Sequence, residues 1–169
     1  DETKGADNRA VIRSLKVLAK KAGIYGMIGG QVVDVEAEKQ YGISKNRLDF
    51  IYELKTGALI EAAMMIGAIL GGATDEEVEQ IEEGAKKIGL AFQIQDDVLD
   101  VIGETETIGK SVGSDEKNQK ATYVVFEGLE KAKQEVADLT DDAIAILQEL
   151  PYENPFLTEL LRWMVLRDK

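Results

Sequence analysis

An all-α domain is the fold class this sequence predicts, and three observations carry it. The only two prolines, Pro151 and Pro155, fall near the end, so nothing interrupts long helices through residue 150. Apolar residues recur at helical spacing along most of the chain. No stretch alternates apolar and polar residues long enough to make a strand; "TYVVF" at 122–126 is the one β-like run, and no partner for it is evident. A chain of 169 residues, 44% of them hydrophobic, can bury one substantial core, so a single domain over 1–169 is expected.

The elements follow in order. Residues 8–38 have helical spacing, with Val11, Ile12, Leu15, Leu18 and Ala22 on one side. After the polar break "KQYGISKN" a second helix is predicted over 46–71. Gly71 and Gly72 terminate it, and Thr74 with Glu77 forms a capping box for a third helix over 75–102. Residues 103–121 are rich in Gly, Ser, Thr and charge and read as the one long loop, of the kind that serves as a lid or binding loop. Helices are predicted at 122–137 and 141–150, the second capped by Thr140. A last helix runs from Pro155, capped by Asn154, to near Arg167.

Composition narrows the chemistry. With no cysteine there are no disulfides and no thiolate metal sites; with no histidine the usual general base and the commonest zinc ligand are missing too. Any metal must be held by oxygen, which points to Mg²⁺ or a similar hard cation. A net charge of −12 argues against a nucleic-acid partner. The most apolar run, 57–73, has 17 residues and contains Glu61, so it reads as a buried helix and no membrane span is expected. The polar, acidic start is unlike a signal peptide, and a cytoplasmic protein is expected.

Against that background "FQIQDDVLDVIG", 92–103, stands out. Asp96 and Asp100 are one helical turn apart and Asp97 lies about 100° round from Asp96, so all three project from one side. They form either a solvated acidic face or a cation site. The apolar flanks, and Phe92 and Gln93 one turn earlier, mark a mostly buried helix, where carboxylates need a cation. In "ELKTGALIEAAMMIGA", Lys55 either snorkels to the surface or holds an anion beside a cavity, with Thr56 facing the same way. In "AGIYGMIGGQVVDV", Gly23, Gly26, Gly29 and Gly30 interrupt a helical pattern at up to about 1 kcal/mol each, implying close approach of another helix or of a ligand. Gln31 and Asp34 follow on one face. Lys110, Lys117 and Lys120 lie in the long loop, either solvated or, for Lys110, folded back over a metal and phosphate cluster. Carboxylates, lysines and an apolar helical cavity together suit an oxygen-rich anion attached to a hydrocarbon, with Mg²⁺ bridging carboxylates and phosphates.

"GMIGGQVVD", "LKTGALI", "GLAFQIQDDVLDVIG" and "IGKSVGSDEKNQKATYV", in this order and spacing, closely resemble the trans-isoprenyl diphosphate synthases, and among them the bacterial farnesyl diphosphate synthases. The resemblance runs from about residue 9 to the end and implies the isoprenoid synthase fold, helices around a deep apolar cavity. It also implies a homodimer in the full-length protein. The implied activity is Mg²⁺-assisted ionisation of an allylic diphosphate and its condensation with isopentenyl diphosphate, most simply to farnesyl diphosphate. By the same resemblance Asp96 is a direct metal ligand, with Asp97 and Asp100 its companions. Lys55 and Lys110 hold the allylic diphosphate, with Lys120 a further basic residue near it; Thr56 and Gln93 face the developing cation, and Phe92 lines the cavity. Gln31 and Asp34 lie beside the first aspartate-rich motif, and Arg167 and Lys169 resemble a basic tail over isopentenyl diphosphate.

That first motif, expected in an N-terminal half, is not in this sequence. The chain is therefore expected to be the C-terminal part of a synthase, carrying one side of the metal site and inactive alone. Two alternatives stand beside it: a non-catalytic subunit of a heteromeric synthase, and a terpene cyclase of the same fold. The lysine-bearing loop after "DDVLD" speaks against the cyclase, and retention of Lys55, Gln93, Asp96 and Lys110 against the subunit.

Overall fold

The computed structural model describes residues 7–38, 42–108 and 121–165, the side chains of 104–108 excepted. Eight α-helices follow one another in these segments: α1 (Asn8–Ala22), α2 (Met27–Ala37), α3 (Lys45–Tyr52), α4 (Ala58–Leu70), α5 (Asp75–Ile108), α6 (Tyr123–Glu127), α7 (Leu129–Gln148) and α8 (Pro155–Val165). A π-helical segment, Glu53–Gly57, joins α3 to α4, and the described residues contain no strand.

Helix α5 is the axis of the molecule because its apolar residues recur every three or four positions. Ile88, Ala91, Ile94 and Val98 are buried against Ala132, Val136, Ala143 and Leu147 of α7, Leu48 and Ile51 of α3, and Leu161 and Val165 of α8. Each buried Ile, Leu or Val contributes about 1.5–3 kcal/mol relative to exposure, so this seam dominates the stability. A smaller cluster, Met65, Ile69 and Val78 with Ala10 and Val17, joins α1 and α4 to the start of α5. No helix among the described residues is long and apolar enough to cross a membrane.

Helix starts follow side-chain capping. The Thr74–Glu77 box forms as expected: the Glu77 amide donates to Thr74 Oγ1 at 3.2 Å and the Thr74 amide to Glu77 Oε2 at 2.7 Å. Asn154 Oδ1 accepts from the Leu157 amide at 3.0 Å, and Thr122 Oγ1 from the Val125 amide at 3.3 Å.

Four expectations are corrected. The helix over 8–38 is two helices, broken across Gly23–Gly26, and the apolar side of α1 points outward: Ile12, Leu15 and Leu18 are exposed. The face toward α4 carries Ala10, Ser14, Val17 and Lys21 instead. The helix over 46–71 is interrupted by the π segment. Helix α5 continues six residues past 102, to Ile108. Finally, the helices expected at 122–137 and 141–150 are divided elsewhere, at Gly128, whose φ of 85° places it in the left-handed region. Thr140 therefore caps nothing. It is buried in mid-helix, and its hydroxyl donates to the Val136 carbonyl at 2.6 Å, which removes its reason to start a helix.

Glu61, the one charge in the apolar run, is buried on α4 and partnered. Lys21 of α1 contacts Glu61 directly and reaches Glu82 Oε1 of α5 at 2.6 Å, so one ammonium joins three helices. Burial pushes the Glu61 carboxyl up, and Lys21 only partly opposes that. Burial pushes Glu82 the same way, but the hydrogen bond from Lys21 and the charges of Lys21 and Lys86 outweigh it and hold Glu82 below the usual range. Lys21 is itself raised: burial works against its charge, and the hydrogen bonds and charges of the two carboxylates win.

Candidate active site

The site is assembled around the π segment. A π turn carries one residue more than an α turn, and such insertions are frequent at functional sites. Here it is gripped from both sides through glycine. At Gly30 of α2 a methyl group would lie 2.8 Å from the Leu54 carbonyl carbon and closer still to the Lys55 nitrogen. At Gly89 of α5 it would lie 2.8 Å from Gly57 Cα. Only glycine permits either approach, so close helix packing, one of the two readings of the glycine run, holds at Gly30.

The contact at Gly30 brings Asp34, one turn further along α2, to Lys55. Lys55 Nζ lies 2.5 Å from Asp34 Oδ2, with the carboxylate side chain 14% and the lysine side chain 36% exposed. The ammonium is thus neither loose nor sealed: a half-buried carboxylate holds it and solvent still reaches it. Thr56 follows on the same segment, half-buried, and Gln31 is half-buried on α2.

On α5 the turns after Gly89 carry Phe92 and Gln93, both half-buried, then the aspartates. The three carboxylates do not share one environment. Asp96 is half-buried and Asp100 exposed, whereas Asp97 is buried at 8% exposure. Asp97 Oδ2 accepts from the hydroxyl of Tyr52 and from the backbone amide of Tyr123, the latter at 2.7 Å. Burial, then the adjoining Asp97 carboxylate, pushes the Tyr52 hydroxyl far up, so it stays a proton donor at any ordinary pH. The Tyr123 ring in turn lies under Lys45 Nζ of α3, 5.1 Å from the ring centroid.

Sequence reasoning missed Tyr52, Tyr123, Gly89 and the π segment. Gly89 had a legible signal, a glycine within the apolar stretch of a long helix; Tyr52 and Tyr123 had none, because their role depends on contacts 45 and 26 residues distant. Lys110, Lys117, Lys120, Arg167 and Lys169 lie outside the described residues.

The donor set suits a hard cation in part. Asp96 and Asp100 offer carboxylate oxygens one turn apart, and the chain has no thiolate or imidazole to compete. Among the described residues, however, no three acidic side chains group as a complete metal site, so Asp96 and Asp100 amount to an acidic wall. A separate cleft of ≈ 1030 Å³ lies between α4 and the α7–α8 turn, lined by Ala63, Met64, Gly67, Leu150 and Leu157. Its α5 residue, Ile81, is roughly 22 Å along the helix from Asp96, so the cleft is distinct from the acidic wall.

Known proteins resemble this chain in sequence and in fold. The farnesyl diphosphate synthase of Escherichia coli K12 is 41% identical over 148 residues, which cover 87% of this chain and 49% of that protein. A chloroplastic geranylgeranyl pyrophosphate synthase of Capsicum annuum is 41% identical over 143 residues, covering 85% and 39%. Among solved structures, the geranyltransferase of Helicobacter pylori complexed with magnesium and isoprenyl diphosphate superposes with a TM-score of 0.71 at 31% identity, covering 94% of this chain and 52% of that one. The chain spans about half the length of the curated relatives it matches. The Polyprenyl synthetase family model matches residues 6–151, a span that takes in the glycine-bearing α2, the π segment and the aspartates of α5 alike, and by that match the chain belongs to the polyprenyl synthetase family.

Proposed function

We propose that the chain forms the C-terminal part of a Mg²⁺-dependent prenyltransferase that joins an allylic diphosphate to isopentenyl diphosphate, with farnesyl diphosphate as product. The observation that carries this reading is Lys55, paired with Asp34 of α2, on a π segment held against the helix that bears Gln93, Asp96 and Asp100. Asp96 and Asp100 would hold Mg²⁺ on this side, and the metal would supply positive charge to a diphosphate.

The chain's own residues do the rest. Asp34 keeps the Lys55 ammonium oriented, and the ammonium binds the allylic diphosphate and neutralises the charge that builds as the carbon–oxygen bond breaks with its electron pair. Charge fixed in place before the reaction is commonly what lowers an enzymatic barrier most. The oxygens of Thr56 and Gln93 face the allylic cation left behind, and Phe92 keeps water from it. The double bond of isopentenyl diphosphate then forms the new carbon–carbon bond, and the released diphosphate takes the proton whose loss restores a double bond. A chain without histidine suits that sequence, since no protein base is required. Lys110 and Lys120 belong to the same reading as further diphosphate ligands. Two copies are proposed to assemble in the full-length protein, and the outward apolar face of α1 and α2 supports this.

A prenyl-transfer assay with dimethylallyl and isopentenyl diphosphates and Mg²⁺ tests the proposal, run on the 169-residue chain and on the product of the complete reading frame that encodes it. Turnover is expected from the complete product and not from the chain alone, and Asp96→Asn should lower it by about a hundredfold or more. Absence of product from the complete protein would overturn the reading; robust turnover by the chain alone would overturn the division of the site.

A further inference from the structure

Asp97 sits within the acidic run but is built into the fold differently from its neighbours. Both lone pairs of its Oδ2 are engaged, one by the Tyr52 hydroxyl and one by the Tyr123 amide. Tyr52 is the last residue of α3 and immediately precedes the π segment; Tyr123 is the first residue of α6. Both tyrosines are buried. Tyr123 is fixed a second time by Lys45 above its ring, and Lys45 is itself paired with Asp49 at 3.0 Å. One carboxylate oxygen therefore ties α5 to two other segments, and one of those segments leads into Lys55 and Thr56.

We infer that Asp97 is a positioning residue: through Tyr52 it sets where the π segment, with Lys55 and Thr56, stands relative to Asp96 and Asp100. The geometry explains why. Gly30 and Gly89 fix the distance of the π segment from α2 and α5 by contact, which has no preferred direction along a helix, and the Asp34–Lys55 pair adds direction toward α2 only. A directional hydrogen bond to a buried carboxylate adds direction toward α5, because a charged acceptor loses strength steeply when the donor moves off line. The pin acts at Tyr52, three residues before Lys55, so its loss is felt as a misplaced ammonium while the acidic wall keeps its ligands.

This inference rests on the prenyltransferase reading for its functional half only. The test uses the protein from the complete reading frame, with Tyr52→Phe, Asp97→Asn, their double variant, and Asp96→Asn as comparison. Tyr52→Phe and Asp97→Asn should each raise KM for dimethylallyl diphosphate roughly tenfold, the scale of one hydrogen bond to a charged group, with a smaller fall in kcat. The double variant should be no worse than the worse single one, in KM and in urea midpoint alike. Mg²⁺ affinity, read by calorimetry with inorganic diphosphate present, should change by less than about twofold in Asp97→Asn and fall at least roughly tenfold in Asp96→Asn. Asp97→Asn weakening Mg²⁺ as much as Asp96→Asn, or effects of Tyr52→Phe and Asp97→Asn that simply add, would overturn the inference. Should the wild type make no prenyl product, the function is wrong, and the urea midpoints still decide whether the pin exists.

Discussion

Glu61 lies in the most apolar stretch of the chain, and the cation it touches is Lys21, forty residues earlier on α1. With its side chain 3% exposed, the carboxylate is badly placed to lose that partner. Lys21→Met should destabilise the protein by about 3 kcal/mol, the usual result of leaving one member of a buried ion pair unpaired. The pH dependence has a definite sign. Without Lys21 the folded-state pKa of Glu61, already raised by burial, moves further up. A carboxyl raised on folding contributes stability below its unfolded pKa and loses it as pH rises through the folded value. Thermal unfolding of Lys21→Met should therefore fall further below wild type at pH 8 than at pH 5. A gap that is constant, or that widens on acidification, would contradict this origin. From the sequence Glu61 was legible only as an argument against a membrane span. Its partner was not, because a pairing between α1 and α4 is set by packing and leaves no local pattern.

Among the elements, α5 separates helix propensity from tertiary contact within five residues. Both Gly84 and Gly89 sit in its interior, where alanine is better by about 0.5–1 kcal/mol on propensity alone. At Gly84 an added methyl meets the Ala143 carbonyl oxygen at 3.5 Å and Leu147 at 3.6 Å, ordinary packing distances. At Gly89 it meets the Gly57 backbone at 2.8 Å, which cannot yield as a side chain would. Gly84→Ala should be neutral or stabilising in chemical denaturation, and Gly89→Ala destabilising by about 1–3 kcal/mol. Reversed signs would show that the π segment does not lie where it is placed. The helix that begins at Asp75, its capping box at Thr74 and the cap at Asn154 were legible, since each start depends on residues within one turn. The broken first helix and the undivided α7 were not: Gly23–Gly26 and the "LTDDA" run have the same local chemistry as a tight packing surface and a helix start, and only the neighbours decide between them.

For the whole molecule, the order of four motifs made the family legible, while the orientation of α1 and α2 stayed hidden. An amphipathic pattern says which residues share a side and not what that side faces. Ile12, Leu15 and Leu18 on α1, then Ile28, Val32 and Val35 on α2, form an apolar band in the sense that all six are exposed. Bands of this kind mark interaction surfaces. Replacing Leu15 and Ile28 by glutamate should break the proposed two-copy assembly of the complete protein, as read by light scattering, while shifting the unfolding free energy by less than about 0.5 kcal/mol per site, because both side chains are already exposed. Unchanged assembly size would mean that the band is not a contact surface.

The π segment has one more consequence, for which changes of length the chain tolerates. A single added residue turns everything before it by about 100° relative to everything after it. Deleting one residue within Glu53–Gly57 would restore an ordinary helical repeat, and α3 and α4 would then fuse smoothly. The loss would be one of phase: Tyr52 and Lys55 would look in directions that no longer match Asp97 and Asp34. Substitutions at exposed positions along this stretch leave that phase intact, whereas an insertion or deletion of one cannot, however well the new helix forms.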